Sequence, residues 1–382
     1  MEILLYTIVF LLLLVVSNVT NRLLPQLPLP LVQIVLGISL GFLLPQGKFH
    51  LDTELFLALV IGPLLFREAE ESNITSILKH WRIILYLIFP VIFISTLGLG
   101  YLAHLLWGAL PLAACIAVGA ALGPTDLVAF ASLSERFSFP KRVENILKGE
   151  GLLNDASGLV AFRVALLAWT TGSFSLGKAS ISLVLSIIGG FAIGMLSAGF
   201  NRWLHKLLMS AQVSDIASEL LLELSLPLVT FFLAEEIHVS GIIAVVVAGI
   251  FKASRFKRIT LLEAQVDSVT ETIWNTVNFM LNGSVFIILG IELKMIAEPI
   301  LKSPIYDNLL LLVSIVLLTF LLFALRFLML FSFYFIRIRR LHKNVGNYLK
   351  EMLLLTFSGV KGTVSIATIL LIPSQLEQDH PL

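Results

Sequence analysis

An all-α polytopic membrane protein is the fold class this sequence predicts, on three observations. Of 382 residues, 58% are hydrophobic and only 13% charged, with a mean hydropathy of +0.97, whereas soluble domains are about half apolar and a quarter charged. The apolar residues gather into about twelve stretches near the ~20 residues that a helix needs to cross a bilayer. The basic residues, finally, fall mostly in alternate connections between those stretches.

The predicted spans are 3–20, 28–45, 52–70, 82–106, 111–133, 145–170, 177–203, 215–236, 239–253, 271–293, 305–337 and 347–373. The first has acidic Glu2 where a secretory leader has a basic region, and no small-residue cleavage site, so it is read as a membrane helix. Connections after odd-numbered spans hold about 18 of the 26 Lys and Arg, which predicts those loops inside and the N-terminus outside. The clusters Lys252/Arg255/Lys257/Arg258 and Arg337/Arg339/Arg340/Lys343 are read as anchors at anionic headgroups. The expected setting is multi-pass in the cell membrane, with the lipid bilayer as a partner.

A single cysteine, Cys115, excludes an internal disulfide and a cysteine-based metal cluster. No basic arm points to nucleic acid, no cofactor is expected, and the loops lack a nucleophile and base pair or a phosphate-binding glycine loop. An enzyme is therefore not expected.

Two spans are interrupted: the fifth by Gly123-Pro124-Thr125-Asp126 and the twelfth by Ser358-Gly359-Val360-Lys361-Gly362-Thr363. Backbone that leaves the helix at membrane depth must be buried in protein or line a wet cavity. Paired breaks in corresponding halves of a chain point to a transporter's midplane site. The domain expectation is one transmembrane domain over 1–382: a first repeat at about 1–171, a linker span at about 177–203, and an inverted second repeat at about 215–382. The scheme expects a thirteenth span, which would follow Leu382.

The sixth span carries the chemistry. On a helix Glu150/Asn154 and Gly151/Asp155 are i, i+4 pairs on one polar face. An ionised Asp at the bilayer centre costs roughly 3 kcal/mol or more, so Asp155 is expected to bind either a proton or a cation. Burial favours its neutral form and an arriving cation its charged form. Two ligands that share one carboxylate expel one another. Hard cations take oxygen ligands, and Asn154 and the freed carbonyls near Thr125 supply them beside Asp155.

Asp126 and Lys361 are read as charges that offset the half-helix ends exposed at the two breaks. Glu150 is a second intramembrane carboxylate, and Arg326 is its expected partner because an unpaired buried charge is far costlier than a paired one. Arg163 is read as snorkelling. Glu68, at the end of the third span, is a possible lining of the inner approach, with an interfacial carboxylate as the other reading. Asp215, Glu219 and Glu223 recur every four residues and are a possible acidic stripe on the same approach, or polar contacts with the preceding loop.

Together these residues resemble the cation/proton antiporter superfamily, specifically its sodium/proton exchanger, NhaP-like branch. The matching pieces are Gly-Pro-Thr-Asp at 123–126, Glu-Gly-Leu-Leu-Asn-Asp at 150–155, Leu-Ala-Glu-Glu-Ile-His-Val-Ser-Gly-Ile at 233–242 and Gly-Val-Lys-Gly-Thr-Val-Ser at 359–365. They stand in family order across nearly the whole chain.

The resemblance implies thirteen spans, an inverted-repeat antiporter fold with two crossed, broken helices, a dimerisation domain beside an ion-carrying core, and a homodimer. It implies electroneutral exchange of Na+ for H+ with alternating access, the transported ion held by Asp155, Asn154, Thr125 and Asp126, and a stabilising pair Glu150–Arg326. The family's acidic position near the end of the third span matches Arg67 or Glu68. Gly151 stands where the family commonly has serine, Leu127 follows the Thr-Asp pair in place of proline, and Lys361 replaces a common arginine. A potassium/proton antiporter of the same fold stays open as an alternative, as does a cation channel or sensor on this scaffold.

Overall fold

The structure, a computed structural model, describes residues 2–43, 53–108, 110–123, 125, 130, 138–171, 176–211, 215–253, 261–302, 308–341 and 346–359. Every regular element among them is helical. In chain order these are α1 (Glu2–Leu23), α2 (Leu29–Leu43) and α3, in which Thr53–Phe56, Leu57–Ile61 and Gly62–Glu71 run on without a gap. There follow α4 (Ile74–Leu78), α5 (Trp81–Leu106), α6 (Leu112–Ala121), α7 (Lys141–Thr171), α8 (Leu176–Ser210) and α9 (Ile216–Glu236). The last are α10 (Gly241–Ala253), α11 (Leu261–Lys302), α12 (Asn308–Leu341) and α13 (Gly346–Phe357).

The helices overlie the apolar stretches but overrun them at polar ends. α11 extends to 42 residues because Glu, Gln, Ala, Lys and Met, all good helix formers, continue it beyond the apolar stretch. Among the described residues five helical stretches are long and apolar enough to cross a membrane: Trp81–Leu106, Val184–Ser210, Ile216–Glu236, Ser268–Glu298 and Asn308–Phe335. Shorter apolar helices accompany them. Leu309, Ile315 and Phe320 on α12 are more than three-fifths exposed, an apolar surface that suits lipid.

Two helices carry a π turn beside a proline, Leu57–Ile61 before Pro63 and Leu87–Val91 around Pro90. Proline has no N–H for the ladder, and its ring crowds the carbonyl four residues back. One extra residue in the turn lets each helix continue: the Gly62 N–H reaches the Leu57 carbonyl, five residues back.

The chain divides into two compact units, Met1–Ser72 with Ser182–Ala297, and Asn73–Ile181 with Glu298–Leu382. In the first, α10 is buried on all sides from Gly241 to Gly249, as expected of a helix that is apolar all round. Leu14, Ile287 and Ile291 close the contact of α1 with α11.

In the second unit α5 and α6 meet backbone to backbone. A Cβ at Gly119 would lie 2.3 Å from the Thr96 carbonyl oxygen and 2.8 Å from the Gly100 nitrogen, so only glycine admits this contact. Ala117, Ala120 and Ala121 of α6 pack on Phe162, Ala165 and Leu166 of α7. Leu99, Ala103 and Cys115 pack on Leu318 and Leu322 of α12. Small residues on α6 thus bring the helix that ends at residue 121 close to the helix that carries Glu150.

The 233–242 motif proves to be a corner. His238 is left-handed, with φ 59°, and the Val239 N–H bonds the Ala234 carbonyl while the His238 N–H bonds that of Glu235, the two bonds of a Schellman end. Ser240 Oγ accepts the Ile243 N–H at 3.2 Å, and Glu235 Oε1 accepts that of Gly241 at 3.1 Å. One tight turn thereby caps the end of α9 and the start of α10. Ser240→Ala is expected to lower stability by about 1 kcal/mol, read as a drop in the unfolding midpoint of the purified protein.

Candidate functional site

The site is assembled inside the second unit from α7, α12, the end of α13 and Thr125. Glu150 and Arg326, 1% and 3% exposed, form a two-pronged ion pair: Arg326 Nη1 donates to Glu150 Oε1 at 2.6 Å and Nη2 to Oε2 at 2.7 Å. Arg326 Nε donates to the Leu355 carbonyl at 2.9 Å. That carbonyl belongs to the last turn of α13, where intrahelical partners run out and the helix dipole favours a cation.

Thr125 completes the cluster, with its hydroxyl donating to Glu150 Oε1 at 3.0 Å and accepting from Arg326 Nη1 at 3.2 Å. Planar, bidentate pairing of this kind is the geometry for which guanidinium is suited and ammonium is not. With each carboxylate oxygen and three guanidinium nitrogens engaged, the pair meets the condition under which buried charges persist.

One turn along α7, Asn154 is fully buried. Its Nδ2 donates to the Thr125 carbonyl at 3.2 Å, while among the described residues no donor reaches its Oδ1. A buried carbonyl oxygen left without a donor is costly, and it has the chemistry of a hard-cation ligand. Asp155 follows it directly on α7. The Asp155 and Arg163 side chains, Asp126 and Lys361 lie outside the described residues.

Both interrupted spans stop at the sites of their Gly-containing motifs, α6 at Ala121 and α13 at Phe357. Gly359 is pressed against the guanidinium, and a Cβ there would lie 2.7 Å from both Cζ and Nε of Arg326. Because Glu150 and Leu355 hold Arg326 in place, it has little room to yield. Gly359→Ala is expected to cost about 1–3 kcal/mol, measurable as a lowered melting temperature of the detergent-solubilised protein. Arg326 as the cation that satisfies the α13 end is a role that sequence reasoning missed, since it looked for that charge only within the break itself.

The remaining acidic residues belong to the first unit and are dispersed in role. Asp215 caps α9 by accepting the Ser218 N–H at 2.9 Å, and the Ser218 side chain, then its backbone, hold this exposed carboxyl below the ordinary range. Glu219 is buried 3.5 Å from His205 Nδ1. Glu223 accepts the Trp274 Nε1–H at 3.0 Å and pairs with Lys252 at 2.5 Å. Glu68 is half-buried near the end of α3, and the adjacent Arg67 pairs with Glu70 and Glu71.

The headgroup-anchor reading of Lys252 is corrected by its ion pairs. Its ammonium is directed at Glu70 and Glu223 and the side chain is only 15% exposed. Packing of α10 on α3 makes two carboxylates nearer partners than lipid phosphate.

These elements define the class as a helical, multi-pass membrane protein, one helix cluster of which holds a satisfied ion pair beside a buried oxygen that no described donor reaches. The comparisons narrow this class. The sodium/hydrogen exchanger transmembrane family model matches residues 7–380, and the chain belongs to that family. It is 37% identical over 387 residues to the sodium, potassium, lithium and rubidium/H(+) antiporter of Bacillus subtilis (strain 168), covering 100% of this chain and 57% of that protein. It is 32% identical over 388 residues to the uncharacterized Na(+)/H(+) exchanger YjcE of Escherichia coli (strain K12), covering 98% of this chain and 70% of that one. The chain thus spans a little over half the length of the Bacillus relative.

Among solved structures it is similar to the sodium proton antiporter MjNhaP1 from Methanocaldococcus jannaschii, with a TM-score of 0.71 and 19% identity over 100% of this chain and 88% of that chain. That likeness defines the fold as the NhaP-type antiporter fold.

Proposed function

We propose that the chain performs secondary active exchange of a monovalent cation, Na+ foremost, for H+ across a cell membrane, by competition of the two ions for the Asp155 carboxylate. The observation that carries this reading is the fully buried Oδ1 of Asn154, which no donor among the described residues reaches. This acceptor is next in sequence to Asp155. Thr125 and Asp126 complete the proposed site, and Glu150–Arg326 is a scaffold that stays closed during transport. Lys361 and Asp126 offset the ends of the broken helices, and the N-terminus lies outside.

In the proposed cycle the protonated and the cation-loaded forms cross between the two faces. The bare carboxylate does not, because an uncompensated charge at membrane depth is too costly. One carboxylate per cycle then couples one cation to one proton. Inverted repeats, a homodimer and, at the inner approach, Glu68, Asp215, Glu219 and Glu223 belong to this reading as well.

Potassium is the second reading, favoured by the ions named for the Bacillus relative. Reconstitution into vesicles with an internal pH dye tests both: Na+, Li+ or K+ added to acid-loaded vesicles is expected to drive proton release, with the largest response to Na+. A response to K+ alone moves the assignment to potassium. Cation flux without proton movement replaces the exchanger by a channel.

A further inference from the structure

We infer that Lys252 serves as a tethered cation that excludes free cations from the carboxylate pair Glu70–Glu223 in the first unit. The pair would otherwise read as an open acidic surface, and it is assembled where the ends of α3 and α10 meet the N-terminal halves of α9 and α11.

The geometry is a closed ring of five side chains. Arg67 Nη1 pairs with Glu70 Oε2 at 3.0 Å, and Lys252 Nζ with Glu70 Oε1 at 3.1 Å and with Glu223 Oε1 at 2.5 Å. The Trp274 Nε1–H donates to that same Glu223 oxygen, and the Trp274 ring lies 5.8 Å beneath the Arg67 guanidinium. Lys252 is also 5.5 Å over the Phe66 ring. Arg67 Nε holds Glu71 at 2.6 Å. α10 can come this close because position 249 is glycine: a Cβ there would lie 2.4 Å from the Phe66 carbonyl oxygen.

With Glu71, held by Arg67 beside the ring, three carboxylates face two cations, and among the described residues removing Lys252 leaves Glu223 only an indole N–H. Two carboxylates set to receive one ammonium, with an aromatic face below it, also make a fair pocket for a hard metal ion. In the native chain the ammonium is covalently supplied and cannot diffuse away. Ions arriving at this end therefore pass the pair without being held. Nothing in this inference depends on which ion the protein transports.

The test is calcium-dependent thermal unfolding of the purified full chain, with choline chloride matching ionic strength. Wild type and Lys252→Arg are expected to show no calcium-dependent shift. Lys252→Met is expected to melt lower and to recover roughly 3 °C or more with millimolar calcium. Lys252→Met with Glu223→Gln is expected to lose that calcium response and to regain part of the melting temperature. A folded Lys252→Met that ignores calcium overturns the inference, and so does a calcium response that persists in the double variant. If Lys252→Met yields no folded protein, the double variant decides: recovered folded yield upholds the inference and equal failure overturns it. Because the readout is melting, a transport failure leaves the result interpretable.

Discussion

Asp155→Asn is expected to reduce cation-driven proton release from vesicles to the level of empty liposomes while the protein still purifies as a folded species. The amide is nearly the same size and keeps a carbonyl oxygen, so packing on α7 changes little. It can neither gain a proton nor carry the charge that attracts a cation, so both halves of the exchange fail together. Retained sodium-dependent proton release in this variant would refute the assignment of the shared carboxylate. Asp155→Glu makes a useful companion, since it keeps the charge but moves it by one methylene; the expected outcome is weakened rather than absent exchange.

The second large effect concerns stability. Glu150→Gln leaves the Arg326 guanidinium buried without its counter-charge, and Arg326→Met leaves the Glu150 carboxylate, among the described residues, only the Thr125 hydroxyl. Breaking a buried pair from one side typically costs 3–5 kcal/mol. Each single change is therefore expected to lower folded yield and the melting temperature sharply. Arg326→Met should be the more damaging, because it also deprives the Leu355 carbonyl at the end of α13 of its donor. The double variant removes both charges and is expected to recover part of the loss. A double variant no more stable than the worse single would mean that the two residues act separately.

Much of the molecule is readable without coordinates. A membrane helix advertises itself because hydrocarbon demands a long apolar run, and the predicted spans overlie every helix from α1 to α13 except the short α4. The motif at 150–155 likewise places Glu150 and Asn154 on one face, since a helix has a fixed period. Other features leave weaker traces. The 233–242 stretch resembles its family in letters alone, and only the coordinates reveal it as a corner in which Glu235, His238 and Ser240 satisfy backbone groups.

Lys252 marks the limit most clearly. As a sequence it is one of four closely spaced basic residues after an apolar span, and headgroup anchoring is the natural reading. Its true partners lie 182 and 29 positions away, at Glu70 and Glu223, and no local pattern announces them. The acidic spacing of Asp215, Glu219 and Glu223 is similarly regular in sequence, yet each carboxylate meets a different neighbour: a cap, a histidine and a lysine.

By itself the sequence determined a helical membrane protein of the exchanger family with an Asn-Asp pair on its sixth span, because periodicity, apolarity and motif order are properties of neighbours along the chain. Tertiary structure alone decided that Arg326, the partner already expected for Glu150, also serves the α13 end, that Lys252 is matched with Glu70 and Glu223, and that Asn154 Oδ1 is a buried oxygen which no described donor reaches. Electrostatic energy depends on distance and on exclusion of water, and both are set only when remote helices come together.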